Sequence, residues 1–158
     1  MNIWEMEKWR RILPSDVRSG LRLRFDKGVD DEVKNACIKY AKWLREYYDF
    51  PIRIPIYFKN TDKLKTVDEK GAYATFFRPN SFFVEPYIRV AVGDYEKRKS
   101  EWGKDNILFA YLVNISHELT HYYQWINDLK LTTIGEERQA TTYANKIIQE
   151  YVDEVLHP

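Results

Sequence analysis

An α+β fold is predicted by three features of this 158-residue chain. Strand-like segments with alternating apolar residues mix with two amphipathic helices, one of them short, over residues 1–93, and the remainder reads as two long helices. Hydrophobic residues make up 44% and aromatic residues 16%, enough for a core built from large side chains.

The elements follow in order. Residues 3–13 have the spacing of a short amphipathic helix that stops at Pro14, making residues 1–20 an N-terminal helical extension of a single domain spanning 1–158. Leu21, Leu23 and Phe25 alternate with Arg22 and Arg24, a half-buried strand. Asp30 or Asp31 caps a helix with an apolar stripe through Val33, Ala36, Cys37, Tyr40, Ala41, Leu44 and Tyr48, ended by Pro51. Ile52, Ile54, Ile56 and Phe58 mark a second strand. Pro55 cannot donate to a ladder, which predicts a free edge or a bulge there. A polar loop over 60–70 precedes strands at 71–77 and 87–93, and residues 94–104 read as a charged connector. Asp105 is the expected N-cap of a helix reaching about Asp128. A loop containing Gly135 leads to a last helix from Glu136 to about Leu156.

Composition excludes several classes. Twenty-five basic and twenty-four acidic residues leave a net charge of +1, so no whole-molecule field draws the chain to nucleic acid. The basic residues between Lys8 and Arg24 are interspersed with Asp16 and read as a solvated face. No apolar run is long enough for a membrane span. Charges fill the first twenty residues where a signal peptide would be apolar, and a single Cys gives no internal disulfide. A cytoplasmic location is the expectation. Cys37 lies on an apolar stripe and reads as core rather than nucleophile.

Two of the three His fall in one pentapeptide, His117-Glu118-Leu119-Thr120-His121. On a helix, residues four apart stand roughly 40° apart around the axis, so both imidazoles can reach one metal ion. Glu118 is roughly 100° away, outside ligand reach but within reach of water beside the metal. The core stripe runs elsewhere, through Leu108, Tyr111, Leu112, Ile115, Leu119, Tyr122 and Ile126. His117, His121 and Gln124 share another face. Such a pentapeptide also occurs where imidazoles only bond locally; the separate core stripe favours metal. Trp125 reads as packing, with a wall of the cleft as the alternative.

Catalytic zinc needs a third protein ligand and an open position. His157 is next to the C-terminus, where chains fray. The better candidates are Glu136 and Glu137 on the last helix, whose stripe of Ala140, Tyr143, Ala144, Ile147, Tyr151 and Val155 has small residues near its start for close helix approach. Geometry does not separate the two glutamates, and both also suit a helix N-terminus.

The pentapeptide followed sixteen residues later by Glu137-x-x-Ala140 resembles the gluzincin metallopeptidases. The Glu-Arg-Gln-Ala stretch is similar to the ImmA/IrrE-type peptidases, and the compact size to minigluzincins. The resemblance is specific over residues 114–144. It implies a zincin-like fold with a small mixed sheet packed on the His117–His121 helix. It also implies Zn2+ held by His117, His121 and Glu137. By the same likeness, 71–77 is the edge strand along which a peptide or protein substrate lies, and Gly71, Ala72 and Ala74 would permit close approach.

The function expected is a zinc-dependent peptidase, an endopeptidase before an exopeptidase, with Glu118 as catalytic base. An oxyanion-stabilising Tyr, His or Arg is expected, and twelve tyrosines do not single one out. The alternative is a zincin-like zinc-binding module with a regulatory role and little proteolysis.

Overall fold

The computed structural model describes residues 2–157. Four strands and four α-helices follow in the order β1 (Leu21–Phe25), α1 (Asp31–Tyr47), β2 (Ile54–Lys59), β3 (Ala74–Phe77), β4 (Tyr87–Ala91), α2 (Tyr95–Trp102), α3 (Lys104–Ile126) and α4 (Thr133–Tyr151), counted among the described residues. The sheet runs β1-β2-β4-β3, with β1, β2 and β4 parallel and β3 antiparallel at the edge. This is the mixed helix-and-sheet architecture expected.

Strand alternation decides which way the sheet faces. Leu21, Ile54, Ile56, Phe58, Ile88 and Val90 are buried beneath helices α1 and α3, which touch the sheet and each other. Their alternates point the other way, and Arg22, Arg24 and Tyr57 among them are exposed. One core runs from Ile3 to Tyr151.

Helix α3 is fixed by the hydroxyls of its buried tyrosines, since a buried O–H requires a partner. Tyr111 donates to the Asp94 carboxylate at 2.7 Å and Tyr123 to the Asp49 carbonyl at 2.7 Å, while the Tyr122 hydroxyl bonds Ile52. Three connections thus clamp the helix against the segments flanking β2 and β4. The face that carries the histidines inherits that rigidity.

Several local expectations are corrected. The segment 3–13 is two short 3-10 turns, Ile3–Glu5 and Lys8–Arg11, rather than one helix. An α-helix would occupy the Trp9 N–H internally; here it donates to Asn127 Oδ1 at 3.0 Å. Trp4 is 2% exposed, donates its indole N–H to Thr120 Oγ1 at 2.9 Å, and packs on Tyr48 and Tyr123. The N-terminal residues are thus part of the core and brace the back of α3. Trp4→Ala should cost about 3–5 kcal/mol in urea unfolding, and a loss below about 1 kcal/mol would show that this segment is a detachable extension.

Pro55 occupies an interior strand, in unbroken register with β1, not an edge or a bulge. Ile54 donates to the Gly20 carbonyl on the β1 side, so the Pro55 nitrogen faces β4, where pairing opens only at Ile56↔Ile88. The missing donor falls where there is no ladder.

The charged connector contains helix α2, stabilised by tertiary contacts that its polar composition conceals. Tyr95 is buried, Arg98 pairs with Asp94 at 3.2 Å, and Lys99 reaches Glu32 at 2.8 Å. Gly103, at φ 88°, separates α2 from α3 and takes the cap position expected for Asp105, which lies in the first turn instead. Helix α4 starts before Glu136, because Thr132 Oγ1 accepts from the Gly135 N–H at 3.0 Å and brings Gly135 into the first turn. It ends at Tyr151, followed by a π-helical turn over Val152–Leu156. The 71–77 strand shortens to Ala74–Phe77, with Ala72 bridging Leu64 instead. Among the described residues no helix is long and apolar enough to cross a membrane.

Candidate metal centre

His117 and His121 stand one turn apart on α3, with ring centroids 5.0 Å apart and planes at 78°. Helix α4 crosses beside them. Its Ala140 and Ala144 are fully buried, and side chains of one carbon let the two helices approach closely. That approach delivers Glu137, whose Oε1 lies 2.8 Å from His121 Nε2 and whose Oε2 lies 3.1 Å from His117 Nε2. Glu136, which sequence geometry could not separate from Glu137, turns away and pairs with Arg78 at 2.8 Å.

Gln124 decides which nitrogen of His121 is available. Its Nε2 donates to the Glu136 carbonyl at 3.1 Å and to Gln139 Oε1 at 2.9 Å. A carbonyl only accepts, so the amide orientation is fixed and Gln124 Oε1 faces His121 Nδ1 at 2.8 Å. His121 therefore carries a proton on Nδ1, which Gln124 Oε1 accepts, and directs Nε2 at the Glu137 carboxylate. A positive centre belongs between Nε2 and the carboxylate oxygen at 2.8 Å: a second proton in the metal-free chain, or a metal ion in its place. Neighbouring atoms of a ligand that holds a metal ion by histidine are oriented in this way.

The donor set can be tested against zinc. Two imidazoles and one carboxylate suit that ion, and tetrahedral bonds of about 2.1 Å would set the ligand atoms about 3.4 Å apart. The three candidate atoms lie within 4.8 Å of one another. The residues fit. His157 is not among them; it lines a separate groove with Leu108 and Phe109.

Electrostatics separates Glu118 from Glu137. Glu118 is 8% exposed, with no hydrogen bond to its carboxyl among the described residues. Burial, helped by the Glu137 charge, pushes its pKa up to about 8. The His117 imidazole is held below its usual range, first by burial and then by the charge of His121, which keeps it neutral as a ligand must be. Cys37 is buried and its thiol is pushed up to about 12, an inert group as expected.

Beside the centre lies an open cleft of about 600 Å³, lined by Arg78, Phe82, Gln124, Trp125, Leu131 and Glu136. Gln124 is common to the cleft wall and the histidine. Trp125 belongs to it too, held by its indole N–H on the Pro79 carbonyl at 3.1 Å and by ring contacts with Phe76 and Phe82. Sequence reading missed Gln124 as a positioning group. Its place three residues after His121, on the same helical face, was the available signal.

Ligand choice gives a sharp expectation. Glu137→Ala should weaken zinc affinity by orders of magnitude, whereas Glu136→Ala should change it little, both read by competition with a zinc-binding dye. The reverse result would move the ligand to Glu136.

Comparison of the chain with protein-family models, with curated proteins and with solved structures finds no match.

Proposed function

We propose that this chain is a zinc-dependent peptidase of zincin-like fold, with His117, His121 and Glu137 as metal ligands and Glu118 as general base. One observation carries the reading: a single carboxylate faces two imidazole Nε2 atoms, one of them aimed by the Gln124 contact on the other nitrogen of its ring. A zinc ion held there would supply a Lewis acid that acidifies water and polarises a peptide carbonyl.

The chain's own groups do the rest. Glu118 follows His117 directly on the same rigid helix, so its carboxylate oxygens flank the two-histidine face without joining it. There it accepts the proton of the attacking water and passes it to the leaving amine. Burial raises the basicity of that carboxylate. Edge strand β3 leaves one side of its backbone unpaired, and an extended peptide can add to it and continue into the cleft beside Gln124.

The test is hydrolysis of a mixed peptide library by zinc-loaded protein. Cleavage that stops with a chelator and returns with zinc is expected. Absence of cleavage across a broad library, with zinc bound, would leave a zinc-binding module in place of an enzyme.

A further inference from the structure

The sheet face turned away from the helices carries a second pattern. Strand register sets its outward residues in two rows across the sheet. One row reads Arg24, Tyr57, Arg89, Thr75 and the next Arg22, Pro55, Tyr87, Phe77, with Pro55 and Tyr87 one step before the paired segment. Tyr57 is 39% and Phe77 42% exposed. The rings are contiguous, Tyr57 to Tyr87 at 6.1 Å and Tyr87 to Phe77 at 4.9 Å between centroids.

The three arginines lack acidic partners among the described residues. Arg22 and Arg24 reach only the carbonyls of Leu21 and Leu23, at 3.2 and 3.1 Å. Arg89 has a buried Nε with no hydrogen bond. Two acidic residues close in sequence to β1 and β4 are paired elsewhere: Asp26 with Lys59 at 3.2 Å, and Glu85 with Arg18 and Arg53. A chain of net charge +1 thus gathers three uncompensated guanidinia on one surface, interleaved with aromatic rings.

We propose that this sheet face binds single-stranded nucleic acid. Unpaired guanidinia attract phosphates, and exposed rings offer π-faces on which unpaired bases stack. Arg24 and Arg89 flank Tyr57 on adjacent strands, about 10 Å apart by strand spacing, which brackets a stacked base with cations on both sides. An acidic peptide would match the arginines and leave the rings without a role. A duplex hides its base faces and cannot stack. The surface lies opposite α3, so occupancy here leaves the metal centre open.

Fluorescence anisotropy of a labelled oligothymidylate and oligouridylate of about twelve nucleotides tests this on the full chain. Binding is expected at about 50 mM salt, with log K falling against log salt at a slope of about −2 for three phosphate contacts to a single strand. Arg22→Gln with Arg24→Gln, both at exposed positions, should bring the slope above about −1. Tyr57→Ala should weaken binding at least about fivefold while Tyr57→Phe retains it. Unchanged zinc content and circular dichroism would establish that each variant folds. No binding at low salt would overturn the proposal. So would equal affinity for a duplex, equal competition by polyglutamate, or indifference to Tyr57→Ala.

Discussion

Zinc-loaded Glu118→Gln should hydrolyse peptides slower than wild type by a factor on the order of 10²–10⁴, the usual contribution of a positioned general base. The substitution keeps side-chain size and leaves His117, His121 and Glu137 untouched, so zinc content should match wild type. Equal cleavage by both proteins would remove Glu118 from the mechanism. The same variant has an opposite effect on stability, because the native carboxyl is buried without a hydrogen bond. Its pKa rises from 4.5 to about 8 on folding. The unfolded chain loses this proton as pH rises through 4.5, while the folded metal-free chain retains it to about 8. Metal-free wild type therefore loses stability across that window, on the order of a few kcal/mol by its upper end. Metal-free Glu118→Gln should have a higher Tm than wild type at pH 8 and the same Tm near pH 4.5. A divalent cation nearby favours the ionised carboxylate, so zinc should narrow the gap. If the pH 8 advantage is absent, Glu118 is not held in the desolvated environment that the base role uses.

His117→Ala or His121→Ala should reduce bound zinc from about one ion per chain to none, since two remaining ligands do not hold a catalytic zinc. Atomic absorption on purified variants checks this, and wild type that stays metal-free after zinc incubation at neutral pH would overturn the metal assignment. The two variants should differ in stability. His117 has a quarter of its side chain exposed, and its loss leaves an opening to solvent. His121 has only 11% exposed, and its loss strands Gln124 Oε1 in the interior at a cost of about 1–3 kcal/mol. Metal-free His121→Ala should therefore unfold at lower urea than metal-free His117→Ala.

The sequence by itself determined whatever rests on local periodicity. Two histidines four apart on a helix share a face by the geometry of the backbone, and the stripe of Tyr111, Ile115, Leu119 and Tyr122 had to be buried on another. Alternation at 21–25 likewise divided Leu21 from Arg22 before any partner strand was known. Tertiary structure decided what depends on which elements meet. Glu136 and Glu137 flank the same stripe equally, and only the close packing of α4 on α3, with Arg78 drawing Glu136 aside, presents Glu137 to the imidazoles. Which nitrogen of His121 faces Glu137 was settled by Gln124 bonding a carbonyl on another helix. Helix α2 was hidden because its polar residues are stabilised by Glu32 and Asp94, partners that periodicity does not register. The arginine and aromatic rows exist only through strand register, which joins residues 22 to 89 across segments whose composition is separately ordinary. Backbone geometry acts over a few residues and is written in the local order of the chain; side chains distant in sequence meet only when burial of the core brings their segments together.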